Sequence, residues 1–215
     1  MDELGFMIDF PGLDLEKNLW QAGHQFIAGV DEAGRGAWAG SIVAGAVILP
    51  RDEDLQHKLA GVRDSKKMTP RQREFWVEKI KQYALSWSVG IVSAQEIDTI
   101  GILPANRLSM IRAIQLLDPP PSFFLFDFIH WKDCPFPGER LIKGESKSLS
   151  IAAASVIAKT FRDSLMRQLD EFYPGYEFSR HKGYGTLIHR NAIKKLGLSE
   201  IHRKSFNISP ISNPV

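Results

Sequence analysis

Cysteine is nearly absent from this chain, which holds one, Cys134, among 215 residues. One cysteine cannot form an internal disulfide, so a secreted scaffold held together by disulfides is excluded. Long apolar runs are missing too: the longest uncharged stretch, residues 36–50, is 15 residues long and glycine-rich, whereas a membrane span needs roughly 20. The opening MDELGFMIDF is acidic and lacks the basic start and apolar stretch of a secretory signal. We therefore expect a cytoplasmic protein.

Several catalytic motifs are also missing. The six histidines are scattered and, with one cysteine, supply no ligand pair at the spacing that zinc needs. GVDEAGRG lacks the Lys-Ser/Thr of a phosphate loop, and the third glycine of GRGAWAG comes one place late for the dinucleotide motif. No G-x-S-x-G elbow occurs. These absences argue against zinc, P-loop, dinucleotide and serine-hydrolase chemistry.

Charge is spread unevenly along the chain, although the net charge is only +2. Residues 1–138 hold 14 Lys and Arg against 18 Asp and Glu, whereas residues 139–215 hold 13 against 7. A basic C-terminal third suits a polyanionic partner, but surface lysines are usually just solvated. The charge alone therefore decides nothing.

Strand-like and helix-like patterns alternate along the chain. Short β-rich or apolar runs predict strands at 26–30, 42–49, 87–92 and 123–127. Helices are predicted after Thr69 with Pro70 at its first position, at 103–117, along the small-residue run 148–173, and at 186–196 before Gly197. This order favours an α/β fold with a mixed sheet and a helical C-terminal part.

Acidic residues stand at the ends of several of these segments. Asp31 and Glu32 follow the first strand, and Asp127 closes the run FFLF. Glu145 precedes the small-residue helix, whose N-terminal dipole favours an anion. Neighbouring side chains on a strand point to opposite faces. We therefore expect the glycine turn to end the first strand, so that Glu32 turns toward the side of Asp31.

A single acid at a strand end is more often solvated or a helix cap than a ligand. Several apolar segments that all end in acids weaken this interpretation, because clustered carboxylates repel and one of them takes up a proton unless a cation is present. Hard divalent ions with oxygen ligands, Mg²⁺ or Mn²⁺, remove the repulsion. Metal-assisted phosphoryl chemistry is the function class that remains.

At these acids the sequence resembles the ribonuclease HII family, the bacterial type 2 ribonucleases H. VDEAGRG is similar to the family's N-terminal active-site signature. Further similar blocks follow in the family's order, and they are DSKKM, EIDTIGIL, AAASVIAKTFRD, HKGYGT and HRKSF. The similarity runs from about Phe26 to Phe206. It implies a ribonuclease H-like mixed β-sheet flanked by helices, with a lead-in at 1–25, a catalytic domain at 26–170 and a C-terminal helical region at 171–215 that completes the substrate groove.

The resemblance implies an endoribonuclease that hydrolyses the RNA strand of RNA–DNA hybrids and cuts DNA at embedded ribonucleotides. A two-metal mechanism with Mn²⁺ or Mg²⁺ would give 5′-phosphate and 3′-hydroxyl ends. The implied catalytic and metal-binding residues are Asp31, Glu32, Asp127 and Glu145. The implied substrate-binding residues are Gly34, Arg35, Gly36, Ser65, Lys66 and Tyr184.

Each substrate-binding residue has an implied role. Glycines without a Cβ at 34 and 36 let the turn approach a sugar and read the 2′-hydroxyl, which distinguishes RNA from DNA. Tyr184 matches a tyrosine that packs on the sugar at the RNA–DNA junction, with an ordinary structural tyrosine as the alternative. Ser65 and Lys66 match a phosphate-contacting pair, and weaker candidates are Lys143, Lys147 and Lys182. Asp163 is expected to pair with a neighbouring arginine on its own helix.

The chain departs from the family pattern at a few positions. Glu145 stands where aspartate is usual, and its extra methylene moves the carboxylate by roughly 1.5 Å. Phe128 replaces glycine, Gly101 replaces asparagine, and Ala37-Trp38 stands where proline-leucine is common. Phe128 and Glu145 leave open a non-catalytic nucleic-acid-binding module, and another metal-dependent nuclease on the same fold is a further alternative. We expect a monomer.

Overall fold

A mixed five-stranded sheet forms the centre of the computed structural model, which describes residues 10–127, 129 and 131–208. Its strands are β1 (Ile27–Ala33), β2 (Ile42–Ile48), β3 (Ser86–Val92), β4 (Phe123–Asp127) and β5 (Gly138–Leu141). They lie in the order β3-β2-β1-β4-β5. β2 is antiparallel to both β1 and β3, whereas β4 is parallel to β1 and β5. The predicted strands are present, and β5 is an addition that carries no apolar run.

Helices of the described residues flank this sheet. They are α1 (Asp14–Gln21), α2 (Leu55–Lys58), α3 (Pro70–Tyr83), α4 (Ala94–Ile100), α5 (Ile102–Gln115), α6 (Leu149–Phe172), α7 (Phe178–His181) and α8 (Leu187–Leu196), with 3₁₀ turns at Ser65–Lys67 and Gly144–Ser146. The predicted start of α3 is confirmed, because the Thr69 hydroxyl accepts a hydrogen bond from the N–H of Gln72 and Pro70 follows. α8 matches the helix predicted at 186–196 and is closed by Gly197 as expected, while Thr186 is its N-cap, whose hydroxyl accepts from the N–H of His189.

Two helices cover the two faces of the sheet. On one face, Val30 and Phe126 of the strands pack against Met110 and Ala113 of α5. On the other face α6 approaches the strands closely, because a Cβ at Gly45 would lie 2.4 Å from the carbonyl oxygen of Ala154. The small residues of α6 thus allow close packing on the sheet.

The C-terminal region packs on the far part of α6 and on the loop between β1 and β2. Met166 of α6 contacts a buried cluster that includes Ala39, Phe178 and Ile193. Backbone bonds fasten the loop, since the N–H of Trp38 donates to Gly183 O and the N–H of Gly40 donates to Ile201 O. This docking brings the HKGYGT segment beside the glycine turn that follows β1.

Two further expectations concern the chain as a whole. The predicted division at residues 25 and 170 stays a prediction, and α6 itself continues to Phe172. Within the described residues, no helix combines the length and the apolar character that crossing a bilayer requires.

Candidate active site

Asp31 and Asp127 lie at the same level of neighbouring parallel strands. Val30 of β1 pairs with Phe126 of β4, and each acid is the next residue along its strand. Asp31 is opposite Gly45, which packs against α6, and Asp127 is opposite Leu141, which lies in a cluster with Ile151 of α6. Cross-strand partners share a face of the sheet. Both aspartates therefore lie on the α6 face, as close neighbours at the strand ends.

Glu32 lies on the opposite face by the strand register, so the prediction that it turns toward the side of Asp31 is wrong, although the glycine turn does end the strand. β1 continues to Ala33, and Glu32 pairs with Ala44 of the α5-facing core. The strand persists because β2 supplies hydrogen-bond partners up to Ala33, so the alternation of side chains is kept. Glu32 is held on its side by a hydrogen bond with Asn106 of α5 and by Arg35, whose Nη1 is 3.2 Å from Oε1.

Glu145 reaches Asp127 from the 3₁₀ turn Gly144–Ser146. The N–H of Gly144 donates to Oδ1 of Asp127 over 2.8 Å, and the Glu145 side chain is itself hydrogen-bonded to Asp127. Oε2 of Glu145 is buried without a hydrogen-bond partner. The longer acid at this position is thus directed at Asp127 and keeps one carboxylate oxygen without a protein donor.

The carboxyl groups of this site perturb one another. Burial, together with Glu32 and Asp127, raises the pKa of Asp31 well above its usual value. Burial also raises the pKa of Glu32, against the opposing effect of Arg35. For Glu145, burial and the hydrogen bond with Asp127 raise the pKa to about 7. Burial is the largest cause in each case and the neighbouring carboxylates add to it, so these groups favour a bound proton or a compensating cation.

Lys66 is the cation that faces these acids. Burial by itself would lower the pKa of Lys66, but the combined attraction of Asp31, Asp64, Glu145 and Asp127 raises it. The residue is exposed in the 3₁₀ turn Ser65–Lys67. One ammonium group therefore stands before four carboxyl groups, which leaves a net negative site.

A hard divalent cation fits the chemistry of this donor set, since the ligands on offer are carboxylate oxygens, one of them a buried orphan. Within the described residues, no three His, Cys, Asp or Glu side chains already stand in an arrangement that could hold a metal ion. Part of the carboxylate capacity is used within the protein: Oδ1 of Asp31 accepts from the N–H of Glu32, Asp127 accepts from Gly144, and Glu32 pairs with Arg35. These residues supply carboxylate oxygens and negative charge for a cation, and some of the oxygens also accept hydrogen bonds from protein donors.

The turn that follows β1 is shaped by two glycines with different surroundings. Gly34 has φ +93°, and a Cβ there would lie 2.0 Å from Nε of Arg162. Gly36 is exposed, and a Cβ there would meet nothing within 4 Å. The backbone is therefore open to a sugar at Gly36. At Gly34 the space that a Cβ would need is filled by the buried side chain of Arg162. Arg35 between them is exposed.

Tyr184 lies half-buried next to two cations of α6. Nζ of Lys159 is 5.6 Å and Cζ of Arg162 is 5.4 Å from the centre of its ring. The backbone N–H of Tyr184 donates to His181 O. The structure therefore brings Tyr184 and the glycine turn to the same arginine, Arg162.

The predicted phosphate-contacting residues differ in exposure. Ser65 is buried, with its hydroxyl 2.7 Å from that of Ser155, whereas Lys66 is exposed. Lys143 and Lys147, on either side of Glu145, are exposed as well. Lys182 is partly buried, and its Nζ donates to Ser179 O. The exposed lysines are accessible to a polyanion, whereas the hydroxyl of Ser65 is hydrogen-bonded inside the protein.

Asp163 does not pair with an arginine of its own helix, so that expectation is wrong. Its carboxylate binds Arg73 of α3 at 3.1 Å and Lys159, one turn earlier on α6, at 2.6 Å. Arg73 also donates to Ser65 O and Met68 O. Arg162 is unavailable because it turns to the backbone of the β1–β2 loop. Asp163 thus ties the DSKKM segment to α6.

The other departures are distributed around the site. Gly101 has φ +83° and separates α4 from α5. α5 corresponds to the helix predicted at 103–117, and α4 precedes it. Ala37 is fully buried, and Trp38 packs on His189. Phe128 lies outside the described residues. Sequence reasoning assigned no role to Asn106, Arg162 or Arg203, although both arginines lie in motifs that resemble the family.

Comparison with known proteins decides the family. The model of the family described as Ribonuclease HII matches residues 28–209. The chain belongs to the ribonuclease HII family. A curated ribonuclease HII of Dehalococcoides mccartyi is 47% identical over 196 residues, covering 91% of this chain and 92% of that protein. One from Geobacillus kaustophilus is 50% identical over 191 residues, covering 89% and 72%.

Solved structures support the same fold. Ribonuclease H2 of Pyrococcus horikoshii OT3 superposes with a TM-score of 0.69 at 27% identity, over 85% of this chain and 94% of that one. The ribonuclease HII of Archaeoglobus fulgidus, solved in complex with PCNA, gives 0.68 at 26% identity, over 83% and 92%. Bst-RNase HIII, solved in complex with Mn²⁺, gives 0.63 at 20% identity over 85% and 67%, which bears on the fold alone. The predicted resemblance and fold are confirmed, and this ribonuclease HII is a metal-dependent endoribonuclease.

Proposed function

We propose that this ribonuclease HII hydrolyses the RNA strand of RNA–DNA hybrids and cuts DNA at embedded ribonucleotides. One observation carries the proposal: Asp31 and Asp127 lie at one level of neighbouring parallel strands, on the same face of the sheet and beside the glycine turn. Glu145 is hydrogen-bonded to Asp127, and Lys66 faces the same acids. Carboxylates beside a turn with open access at Gly36 suit phosphodiester hydrolysis next to a ribose.

Asp31, Glu32, Asp127 and Glu145 are the residues that would hold Mg²⁺ or Mn²⁺. When bound, such ions supply an activated water and neutralise charge on the leaving 3′-oxygen, so that the products carry 5′-phosphate and 3′-hydroxyl ends. The protein residues set the charge and the donor oxygens for this chemistry. Lys66 is exposed and stands over the carboxyl groups, which suits contact with a phosphate.

The glycine turn is proposed to read the ribose. Gly36 is exposed with open space where a Cβ would stand, so its backbone is accessible to a 2′-hydroxyl. The Gly34 N–H and the Arg35 backbone adjoin it in the same turn. Tyr184, beside the turn through Arg162, is proposed to pack on the deoxyribose across the cut and so to favour a junction. Ser65 would act from within, by shaping the turn that carries Lys66.

The remaining expectations are consistent with this proposal. We propose that the enzyme acts as a monomer. The predicted cytoplasmic location stays a prediction. Substrate binding would draw on the lysines that surround the site, namely Lys66, Lys143, Lys147 and Lys182.

A cleavage assay tests the proposal with three duplexes of one sequence: a single embedded ribonucleotide, a continuous RNA–DNA hybrid, and DNA alone. The wild type should cut the first two with Mn²⁺ or Mg²⁺, spare the third, and leave 5′-phosphate ends. Asp31→Asn and Asp127→Asn should each lower cleavage at least about 100-fold, because the charge that binds the cation is lost. Duplex binding measured in EDTA should persist. Asp118→Asn is the matched control, since Asp118 is exposed and its N–H bonds Ser86 at the opposite end of the sheet.

The same duplexes test the tyrosine. Tyr184→Ala should lose far more activity on the single ribonucleotide than on the continuous hybrid. Cleavage at a single ribonucleotide always takes place at an RNA–DNA junction, whereas most sites in a continuous hybrid have RNA on both sides. Full activity of either Asn variant would remove the metal assignment. Equal losses of Tyr184→Ala on both substrates would argue against junction sensing and leave the metal assignment intact.

A further inference from the structure

Two arginines are completely buried in this protein without an acidic partner. Arg162 of α6 and Arg203 of the HRKSF segment are each 0% exposed. In the described part of the chain neither takes part in an ion pair. They bind backbone carbonyls instead: Arg162 binds the oxygens of Ser41, Lys182 and Ala39 at 2.9, 2.9 and 3.2 Å. Nε and Nη1 of Arg203 bind those of Gly40 and Arg35 at 3.0 and 2.9 Å, while its Nη2 is buried without a partner.

Such an arrangement is costly for the fold. A buried charge is normally paired, because the loss of hydration costs several kcal/mol. Burial and the neighbouring Arg162 lower the pKa of Arg203 to about 9, and burial lowers the pKa of Arg162 as well. What a guanidinium offers in return is a rigid fork of five donors, which fixes several carbonyls at once.

The carbonyls in question belong to the two substrate-reading elements. Arg203 holds the carbonyl of Arg35 in the middle of the glycine turn. Arg162 fills the space left by the missing Cβ of Gly34, binds the carbonyl of Lys182 two residues before Tyr184, and lies under the Tyr184 ring. The turn and the tyrosine are therefore attached to one rigid pair of side chains.

We infer that Arg162 and Arg203 are positioning residues for ribose recognition, which hold the glycine turn and Tyr184 at a fixed spacing across the substrate. This inference rests on the proposed function, in which the turn reads the 2′-hydroxyl. The glycine turn then makes the contact with the ribose, and its accuracy depends on two side chains that are themselves fully buried. The carboxylates of the site are not part of this device.

The inference is tested by measuring duplex binding without metal. Under these conditions no cleavage occurs, so the measured affinities do not depend on catalysis by the carboxylates. Affinities of the full chain in EDTA are measured for a duplex with one ribonucleotide and for the identical all-DNA duplex. Arg203→Lys and Arg162→Lys keep the charge but lose the fork. Each should reduce the ribo-to-deoxy affinity ratio about fivefold, the worth of roughly one hydrogen bond, with the all-DNA affinity unchanged. Arg167→Lys, a half-exposed arginine on the same helix, should keep the wild-type ratio.

The outcomes separate the two claims. If the wild type itself binds both duplexes equally, the proposed reading of the hydroxyl is wrong and the inference falls with it. If the wild type prefers the ribonucleotide and both folded Lys variants retain that preference, the inference alone is overturned.

A measurement on the wild type decides the matter if the Lys variants do not fold. In ¹⁵N-arginine-labelled protein, the two buried guanidinium groups should give slowly exchanging proton signals. These signals should shift when the ribonucleotide duplex is added and stay in place with the all-DNA duplex. Identical responses to both duplexes would overturn the inference.

Discussion

At the residue scale, the position of Glu32 depends on a neighbour on α5. Asn106 is 1% exposed, hydrogen-bonds the Glu32 carboxylate, and has a buried Oδ1 without a partner. Asn106→Leu should lower kcat/KM on a single-ribonucleotide duplex about tenfold, because a hydrogen bond to a charged group contributes about 1.5–3 kcal/mol. Ser109→Ala removes a buried hydroxyl that bonds only within α5 and should leave kcat/KM unchanged. Equal rates for wild type and Asn106→Leu would show that Arg35 suffices to hold Glu32.

As a proposed ligand, Glu145 should make metal binding depend on pH. Its pKa is raised to about 7 by burial and by Asp127, so below that pH a cation must displace a proton before this carboxylate can bind it. Mn²⁺ affinity, followed by titration calorimetry, should therefore rise with pH up to about 7 and then level. Glu145→Gln should abolish this rise and weaken binding, whereas Glu145→Asp should keep or raise activity. Indifference of both affinity and activity to the two substitutions would make Glu145 a bystander.

Asp31 and Asp127 could be singled out from sequence because each follows an apolar run, and parallel pairing then brings the two to one level. The face on which Glu32 lies could not be predicted. It depends on how far β2 continues to pair with β1, which is a tertiary property that no local pattern of Ala33-Gly34 reveals. The positions of Arg162 and Arg203 could not be predicted either, because nothing in the sequence distinguishes a buried arginine bonded to carbonyls from a surface arginine.

At the scale of elements, the close contact between α6 and the sheet should be sensitive to single methyl groups. A Cβ at Gly45 would stand 2.4 Å from Ala154 O and 3.0 Å from the N of Ala158, both backbone atoms. Gly45→Ala should destabilise the fold by about 1–3 kcal/mol through overpacking, as urea unfolding would measure. Gly12→Ala, whose added Cβ would meet side-chain atoms no closer than 3.7 Å, is the control. Equal stability of the two variants would contradict the rigid packing inferred here.

Elements with strong local signals were predictable, and those defined by neighbours were not. The start of α3 followed from Thr69 and Pro70, and the end of α8 from Gly197. β5 went unpredicted because its residues are partly exposed and show no apolar alternation, so only its pairing with β4 makes it a strand. The break at Gly101 is set by one residue with positive φ inside a continuous helical pattern.

At the scale of the whole molecule, a chain of buried histidines fixes the C-terminal region beside the site. The hydroxyl and N–H of Ser199 face Nδ1 of His202, Nε2 of His202 is 3.0 Å from Nε2 of His189, and Nδ1 of His189 is 3.0 Å from Tyr184 O. The N–H of Ser199 can only donate, so Nδ1 of His202 accepts and Nε2 of His202 carries the proton that is donated to Nε2 of His189. Nδ1 of His189 then carries a proton that is donated to Tyr184 O, and both rings are neutral. One added proton would leave two N–H groups facing each other.

This chain should make the fold acid-sensitive. Burial lowers the pKa of both His189 and His202 to about 4. Between an unfolded value of about 6.5 and the folded value of about 4, the unfolded state binds protons that the native state refuses. Stability from these groups is therefore complete above pH 6.5 and is lost as the pH falls toward 4. The acids with raised pKa values, such as Glu145, act in the opposite direction, so a difference between variants is the useful quantity.

The free energy of unfolding of wild type minus that of His202→Asn should therefore shrink as the pH falls from 7 to 4. The expected decrease is roughly 2–3 kcal/mol, at about 1.4 kcal/mol per unit of pKa shift, because asparagine takes up no proton while carboxylate effects cancel in the difference. Denaturant titrations at several pH values supply the measurement. His57→Asn, at an exposed histidine of α2, should give a difference that does not change with pH. A constant difference for His202→Asn as well would mean that the ordered chain does not exist in solution, and that another contact holds the Tyr184 carbonyl.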